Sequence, residues 1–245
     1  MEDKALLSTE EASGAEKAEL LIVIPAYNEA ENIERVVNHL TANFPQYDYV
    51  VVNDGSRDET AAICQRNGYN LLNLPVNLGL AGAFQAGLKY ADKYGYQYAV
   101  QLDGDGQHRP EYLEAMMKKM EEGYDIVIGS RFVGEKKPFT MRMLGSNLIE
   151  MAIRFTTGVN IKDPTSGMRM FSKRMIREFA SGLNYGPEPD TVSYLIRQGA
   201  RVAEVPVIMD ERILGVSYLT PVNAMRYMLK MLISILLIQN FRKRR

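Results

Sequence analysis

A regular alternation of apolar runs and amphipathic segments over the first 130 residues is the feature that most constrains the fold. Continuous apolar runs rich in β-branched residues are typical of strands buried on both faces of a sheet. The segments between them repeat apolar residues at helical spacing, and Ile33, Val37 and Leu40 mark one such face. Because parallel strands need a long crossover, the alternation predicts an α/β fold with a mostly parallel sheet flanked by helices. The strands are predicted at 20–25, 49–53, 69–74, 98–103 and 125–130.

The composition of the 245-residue chain is typical of a globular protein. Hydrophobic residues make up 46% of it, which suffices for a sizeable core, and no linker-like segment interrupts the sequence, so we expect a single domain. The net charge of −1 argues against binding to nucleic acid. The one cysteine, Cys64, excludes an internal disulfide and is typical of a reducing compartment.

The two ends of the chain have opposite charge. Residues 1–18 carry five acids and two lysines without the apolar core of a signal peptide, and we expect a flexible leader there. Residues 212–245 carry seven lysines and arginines and no acid. The apolar stretch 227–238 contains Lys230 and is too short to span a bilayer. We therefore expect an amphipathic basic helix at 221–245 that lies on a membrane surface, with a buried core helix as the alternative.

Polar side chains follow several of the predicted strands at the point where each strand ends. Asp54, Asp103 and the pair Ser130–Arg131 fall at or just beyond three of these ends. Ligands of open α/β sheets bind beyond the carboxyl ends of the strands. These side chains are therefore expected to lie at one edge of the sheet, around a common site.

Two carboxylates, Asp103 and Asp105, stand two residues apart in the segment LDGDGQH. On an extended segment such side chains point to the same side and can present oxygens to one hard cation. Mg²⁺ typically binds one or two protein carboxylates together with substrate phosphates, and Gly104 and Gly106 leave room for a bulky ligand. A calcium loop is disfavoured because His108 stands where that loop needs glycine, whereas a plain surface turn remains an alternative.

Two common phosphate-binding motifs are absent from the sequence. It contains no G-x-x-x-x-G-K-[ST] segment, and the glycines of GLAGAFQAG neither form G-x-G-x-x-G nor follow the first strand. The chain is therefore predicted to be neither a P-loop protein nor a dinucleotide-binding protein. A metal–nucleotide site remains as the interpretation that the paired acids favour.

Seven short segments follow one another in the order found in a known enzyme family. Five of them resemble family 2 glycosyltransferases of the GT-A fold, and two later ones resemble the branch of dolichyl-phosphate mannose synthases and bacterial polyprenyl-phosphate glycosyltransferases. The resemblance implies a Rossmann-like GT-A domain at 19–220, with a nucleotide-binding half at 19–131 and an acceptor half at 132–220. The segments are IVIPAYNEAENI, VVNDGSRDET, NLGLAGAFQAGL, QLDGDGQHRPEYL, GSRF, DPTSGMRMF and ERILGVSYL.

The resemblance implies an activity as well. It implies an inverting, metal-dependent enzyme that moves a hexose or N-acetylhexosamine from a nucleotide diphosphate sugar, with a UDP-sugar favoured and GDP-mannose second. The implied acceptor is a polyprenyl phosphate or a lipid-linked glycan of cell-surface polysaccharide assembly, and the implied cofactor is Mg²⁺ or Mn²⁺. The implied location is peripheral, on the cytoplasmic face of the cell membrane, with a homo-oligomer or a membrane-protein partner left open.

Two other functions fit parts of the pattern. A non-catalytic scaffold subunit would keep the fold alone, but the paired acids and the arginines near them argue against it. A sugar-nucleotide pyrophosphorylase would need a loop rich in glycine and lysine after the first strand, where this chain has PAYNEAEN.

The resemblance also implies roles for single residues. Asp103 and Asp105 are expected to hold the metal ion on the sugar diphosphate, with Asp105 and Arg131 in the catalytic set. Arg131 and Arg212 are expected to contact the donor diphosphate or the lipid phosphate. Asp163 is expected to face the acceptor, either as a general base or as a positioning group. The remaining residues expected around the nucleotide sugar are Pro25, Tyr27, Glu29, Asp54 and Gln107.

The residues alone leave a simpler role open for several of these side chains. Asp54 also fits a cap of the turn before its helix, and Asp163 also fits the start of a turn. The side chain of Tyr27 also fits plain packing. Arg131 and Arg212 also fit surface ion pairs.

Overall fold

The computed structural model describes residues 18–135, 137, 140–181, 186–210 and 221–241, which form a seven-stranded sheet with helices on both faces. The strands are β1 (Leu20–Ala26), β2 (Asp48–Asn53), β3 (Leu71–Asn73), β4 (Tyr98–Gln101), β5 (Ile126–Ser130), β6 (Arg169–Ser172) and β7 (Val202–Pro206). The helices are α1 (Ile33–Asn43), α2 (Thr60–Arg66), α3 (Gly79–Lys93), α4 (Leu113–Glu121), α5 (Met141–Thr157), α6 (Lys173–Ala180), α7 (Pro189–Arg197) and α8 (Pro221–Leu236).

The strand order in the sheet is β3-β2-β1-β4-β6-β5-β7. The chain adds β2 and β3 on one side of β1 and then places β4 on its other side, so the order of strands reverses beside β1. All the pairings are parallel except those of β6, which runs antiparallel to both β4 and β5. A reversal of this kind opens a crevice at the carboxyl ends of the strands, here between β1 and β4.

The sheet separates two apolar clusters, and β1 contributes to both. Leu21 and Val23 pack into the cluster with α3, α5, α6, α7 and α8, whereas Leu20, Ile22 and Ile24 pack into the cluster with α1, α2 and α4. Successive side chains of a strand point to opposite faces, so a strand buried on both faces must be apolar throughout. This requirement explains the continuous run LLIVI.

The predicted fold class is confirmed. Each of the five strands predicted from the sequence is present. Cys64 lies in α2 with no exposed surface, and burial raises the pKa of its thiol to about 11. A cysteine in this state behaves as a small buried apolar residue.

Helix α8 is part of the fold on one side and exposed on the other. It packs against α5 and α7, and its Met231 and Ile235 side chains are buried in the core. The Ser234 hydroxyl donates to Asp190 Oδ2 at 2.6 Å, which fixes α8 to the start of α7. The buried side fits the alternative of a core helix, whereas contact of the exposed side with a membrane stays a prediction.

Parts of the expected domain boundaries fall outside the described residues. This holds for the leader expected at 1–18, apart from Ala18, and for the basic end of the 221–245 segment, residues 242–245. Among the helices that the structure describes, none combines the length and the apolar character needed to cross a membrane.

The first testable prediction concerns the aromatic centre of the core. Phe84 is fully buried, and its ring centroid lies 5.4 Å from that of Phe171 and 6.2 Å from that of Phe179. We expect Phe84→Ala to lower the free energy of unfolding by about 3–5 kcal/mol, because it removes a buried ring and leaves a cavity. Urea denaturation measures this loss. Phe155→Ala is the matched control, since that ring is 86% exposed, and an equal loss in both variants would contradict the assignment of the core.

Candidate active site

The loop after β4 carries Asp103 and Asp105 across the end of β1. A Cβ atom on residue 104 would lie 3.1 Å from the Pro25 carbonyl oxygen and 3.5 Å from Glu29 Cγ, so Gly104 allows this close approach. Gly106 has a φ of 79°, and Arg35 Nη2 donates to the Asp105 carbonyl oxygen at 3.0 Å. The two glycines thus let the loop turn sharply and hold the acids at the crevice.

Asp103 is oriented by two neighbours. Gln101 Nε2 donates to Asp103 Oδ1 at 2.8 Å. The Asp103 backbone N–H donates to His108 Nδ1 at 3.0 Å, so the proton of a neutral His108 ring lies on Nε2, which is 3.6 Å from Asp103 Oδ2. His108 is 7% exposed and therefore supports the carboxylate from inside the protein.

Asp105 and Gln107 tie the same loop to the segment that follows β7. The Gln107 backbone N–H donates to Asp105 Oδ1 at 3.0 Å. Gln107 Nε2 donates to the Asp210 carbonyl oxygen at 3.1 Å, and the Asp210 N–H donates back to the Gln107 carbonyl oxygen at 3.0 Å. Arg109 Nε also donates to both carboxylate oxygens of Asp210, at 2.8 and 2.9 Å. This hydrogen-bonded ion pair lowers the pKa of Asp210 and raises that of Arg109.

A cavity of about 460 Å³ opens beside this loop, which is a volume typical of small-ligand sites. Both acids of the loop face it, together with positively charged groups from β6 and from the end of β5. The charged and amide side chains that line it include Asp103, Asp105, Gln107, Arg131, Arg169 and Glu188.

The chemistry of the two acids fits a divalent metal ion that is shared with a ligand. In the part of the chain that the structure describes, no group of three or more His, Cys, Asp or Glu side chains could hold a metal ion by itself. Two carboxylates on one cavity wall fit Mg²⁺ or Mn²⁺ when phosphate and water oxygens complete the ligand set. Asp103 and Asp105 are the side chains that would hold it.

The half-buried Arg131 forms a bidentate ion pair with the buried Asp163. Arg131 Nε donates to Asp163 Oδ2 at 2.7 Å, Nη2 donates to Oδ1 at 2.8 Å, and the Arg131 backbone N–H donates to Oδ2 at 3.1 Å. Asp163 has no exposed surface, and its own N–H donates to Glu204 Oε1 at 2.8 Å. The pair with the buried Asp163 is not a plain surface ion pair, and it fixes the orientation of the Arg131 guanidinium.

Asp54 connects two loops at the end of β2. Its backbone N–H donates to the Ala26 carbonyl oxygen at 2.9 Å, and its Oδ1 accepts from the Leu78 N–H at 2.6 Å. Leu78 directly precedes α3, so the carboxylate anchors the start of a helix 24 residues away and not the turn before its own helix. Asp54 is 3% exposed.

The loops after β1 and β2 are fastened together by side chains. The Glu29 N–H donates to Thr60 Oγ1 at 2.9 Å, and Asn28, with a φ of 56°, accepts from the Arg57 N–H at 2.9 Å. Asn28 lies five residues before the start of α1 at Ile33 and bridges the two loops. Tyr27 in this loop is half-buried.

The residues expected around the nucleotide sugar thus form two adjacent groups. Gln107 lines the cavity with the paired acids, whereas Pro25, Tyr27, Glu29 and Asp54 lie at the neighbouring ends of β1 and β2. A further expected residue, Arg212, lies outside the described residues.

The sequence-based reasoning missed two charged residues of the cavity, Arg169 and Glu188. Arg169 is 2% exposed, and its Nη2 donates to the Pro164 carbonyl oxygen at 2.6 Å, whereas Nε and Nη1 have no hydrogen-bond partner among the described atoms. Burial lowers the pKa of Arg169, although nearby Tyr227 and Glu188 oppose this shift. Arg169 does fall within the segment DPTSGMRMF, but nothing in a single arginine before a strand indicates burial.

The fold and this edge of the sheet agree with the family to which the chain belongs. Residues 21–179, more than half of the chain, match the family described as Glycosyl transferase family 2. The protein is therefore a family 2 glycosyltransferase with the GT-A fold, as the motifs indicated.

Three known proteins illustrate the similarity. The chain is 32% identical over 223 residues to the polyprenol monophosphomannose synthase of Mycolicibacterium smegmatis. The aligned region covers 86% of this chain and 84% of that protein. The chain is 31% identical over 210 residues to the undecaprenyl-phosphate mannosyltransferase of Micrococcus luteus, with 81% and 86% covered. The structure of glucosyl-3-phosphoglycerate synthase from Mycobacterium tuberculosis with Mn²⁺, UDP and phosphoglyceric acid superposes with a TM-score of 0.64 at 21% identity, covering 92% of this chain and 79% of that one.

The buried ion pair generates the second prediction. We expect Arg131→Met to lower the free energy of unfolding by about 3–5 kcal/mol, because it leaves the buried Asp163 carboxylate without a counter-charge. Urea denaturation measures the loss. Arg109→Met removes the same side chain from the exposed pair with Asp210 and should have little effect. Equal losses in the two variants would contradict the expectation that the pair with the buried Asp163 contributes more stability than the pair with Asp210.

Proposed function

We propose that this glycosyltransferase moves a hexose or N-acetylhexosamine from a nucleotide diphosphate sugar to a polyprenyl phosphate, in a single in-line displacement that inverts the anomeric centre. One observation carries the proposal: a pair of acids and two arginines line the same cavity at the carboxyl edge of the sheet. The acids suit a metal-bound diphosphate, and the arginines suit phosphate oxygens.

The departing nucleoside diphosphate determines what the donor side must supply. Negative charge develops on its β-phosphate as the glycosidic bond breaks, and a bound Mg²⁺ or Mn²⁺ would neutralise part of that charge. Asp103 and Asp105 would hold the ion, and the contacts of Gln101, His108 and Gln107 keep the two carboxylates in place without rearrangement during the reaction.

The nucleotide itself would occupy the ends of β1 and β2. We assign Pro25, Tyr27, Glu29 and Asp54 to the surroundings of the base and ribose, and Gln107 to those of the sugar diphosphate. Their location beside the paired acids supports this assignment. The proposal includes a division of the chain into a nucleotide half at 19–131 and an acceptor half at 132–220.

Arg131 would contact a phosphate group through the part of its guanidinium that Asp163 leaves open. Nε and Nη2 bind the carboxylate, so Nη1 is the nitrogen left for a ligand in the cavity. The bidentate pair fixes the plane of the guanidinium, which reduces the entropy lost when a phosphate binds. Arg212 remains part of the proposal as a second phosphate ligand.

The arrangement favours a phosphate acceptor over a sugar hydroxyl. A lipid phosphate oxygen is already anionic and needs no general base, whereas a hydroxyl must lose a proton during the transfer. Asp163, the residue considered for that base, is fully engaged by Arg131. If the acceptor is a lipid-linked glycan instead, Glu188 is the cavity carboxylate available for the role, and it accepts a hydrogen bond from the Tyr227 hydroxyl.

The observations that bear on the identity of the sugar point to two different donors. The names of the two relatives above 30% identity point to mannose, whereas the sequence motifs favoured a UDP-sugar, and a Mn²⁺–UDP complex exists for a protein of the same fold. A lipid-linked acceptor also places the enzyme at a membrane surface, which we propose to be the cytoplasmic face. A homo-oligomer or a membrane-protein partner is compatible with this proposal.

The third prediction is a donor and metal profile. Purified protein with polyprenyl phosphate and Mn²⁺ is expected to form a glycosyl polyprenyl phosphate from one member of a panel of UDP-sugars and GDP-mannose. Mass spectrometry of the lipid product identifies the sugar, and EDTA should stop its formation. Full turnover in EDTA would refute the metal site. An absence of transfer and of donor hydrolysis across the panel would favour the alternative, a non-catalytic subunit that keeps the fold.

The fourth prediction tests the paired acids. We expect Asp105→Asn to lower kcat on the order of 100-fold or more, because it weakens the stabilisation of charge on the leaving diphosphate. Asp92→Asn on the exposed end of α3 removes the same charge away from the cavity and should retain activity. Circular dichroism and Tm check that both variants are folded, and a fully active, folded Asp105→Asn protein would contradict the proposed role.

A further inference from the structure

Helix α5 exposes a row of large apolar side chains on one side. The four positions are separated by four, three and four residues, which places them along a single helix face. Phe155 is 86% exposed and Met151 is 65% exposed, while Ile153 on the opposite side is buried in the core. The row consists of Leu144, Leu148, Met151 and Phe155.

Helix α8 exposes a second row of the same kind. Its members are separated by four, four and three residues, and Met225 and Leu229 are 65% and 59% exposed. The other side of α8 carries the buried Met231 and Ile235, so the exposure is confined to one face. The row consists of Met225, Leu229, Ile233 and Leu236.

The two rows lie on neighbouring helices, since α5 and α8 pack against each other. A Cβ atom on residue 145 would lie 2.8 Å from Met228 Cγ, so the helices are in close contact at Gly145. Met228 and Leu232 are half-buried and lie on the side of α8 next to its exposed row. We call the eight exposed side chains of the two rows the α5–α8 surface.

Basic residues border this surface. Arg154 on α5 and both Arg226 and Lys230 on α8 are exposed. Neither row contains an acidic residue, and Glu150, the acid of α5, is paired with Lys137 at 2.7 Å. The sequence adds four consecutive basic residues at 242–245, shortly after α8. The surface is therefore apolar in its middle and positively charged around it.

We propose that the α5–α8 surface docks on an anionic phospholipid leaflet. Contiguous apolar patches of this kind are rare on monomeric soluble proteins and mark interaction sites. An apolar helix face with basic residues beside it matches the boundary between acyl chains and anionic headgroups. An apolar face of another protein would bury the rows equally well but would gain nothing from the basic border. The proposal rests on the proposed function, which supplies the membrane-bound acceptor.

The same helix connects this surface to the cavity. Ala224, Tyr227 and Met228 of α8 line the cavity, while the exposed row lies on another side of the helix. An α-helix is about 10–12 Å in diameter, so docking through α8 would hold the cavity within roughly one helix diameter of the leaflet. A polyprenyl phosphate could then present its phosphate to the cavity while its chain stays among the lipids.

The test is co-sedimentation of the full chain with vesicles of phosphatidylcholine alone or with added phosphatidylglycerol. The variants are Met151→Ser/Phe155→Ser on α5 and Leu229→Ser/Ile233→Ser on α8. We expect each pair to lower the partition coefficient about tenfold or more, because each removes two large apolar side chains from the interface. Tyr94→Ser changes an exposed ring directly after α3; it is the apolar control and should bind as the parent does. Circular dichroism confirms folding.

A pair of charge-removing substitutions tests the basic border of the α5–α8 surface separately. Arg226→Gln/Lys230→Gln should reduce binding to phosphatidylglycerol vesicles and make it less sensitive to salt, whereas Lys118→Gln/Lys119→Gln on α4 should not. Unchanged binding by the α5 and α8 apolar pairs would overturn the proposal. It would also be overturned if the parent chain ignored anionic vesicles and formed a dimer that these pairs dissociate.

A water-soluble, short-chain prenyl phosphate separates this proposal from the proposed function. The apolar variants should glycosylate that acceptor at the parent rate, because their side chains lie outside the cavity. If the chain binds vesicles but does not glycosylate any prenyl phosphate, the proposed function is refuted, whereas the proposed docking surface is supported. If the chain glycosylates the prenyl phosphate but its vesicle binding does not depend on the two rows, the docking surface is refuted and the proposed function stands.

Discussion

The parallel pairing of β1 with β2 on one side and β4 on the other is the constraint on which the rest of the site depends. It sets the carboxyl ends of three strands side by side, so that loops distant in sequence meet above them. The contact between Gly104 and the end of β1 and the hydrogen bond from the Asp54 N–H to Ala26 are direct results of this pairing. The cost of holding like charges together at that edge is low only if a cation or a fixed set of hydrogen bonds offsets their repulsion.

Polar contacts of the side chains that line the cavity supply that fixed arrangement. Asp103 is held by Gln101 and His108, and the guanidinium of Arg131 is held by Asp163. Such groups cannot rotate away when a charged ligand arrives, so the site is organised before binding. In the same way the Asp163 carboxylate accepts three hydrogen bonds from Arg131, which fix the orientation of that guanidinium.

Helix α8 has three different sides, and this division gives the C-terminal segment its importance. One side belongs to the core through Met231 and Ile235, a second lines the cavity through Tyr227, and a third is the exposed row of the α5–α8 surface. Removal of the whole segment would therefore disturb packing, cavity and surface together. Substitutions of single exposed side chains separate these contributions, because a buried and an exposed residue of one helix differ in what they contact.

The sequence by itself determined the alternation of strands and helices, the burial of both sheet faces and the position of the paired acids at a strand end. These features are local, because side-chain periodicity and turn residues act within a few positions of the chain. Only the tertiary structure decided the partners of the buried charges. Asp163 lies 32 residues from Arg131 and meets it where β5 ends, and the insertion of β6 between β4 and β5 brings Arg169 to the cavity. Burial of a charged group depends on which elements become neighbours, and no local pattern in the sequence encodes that choice.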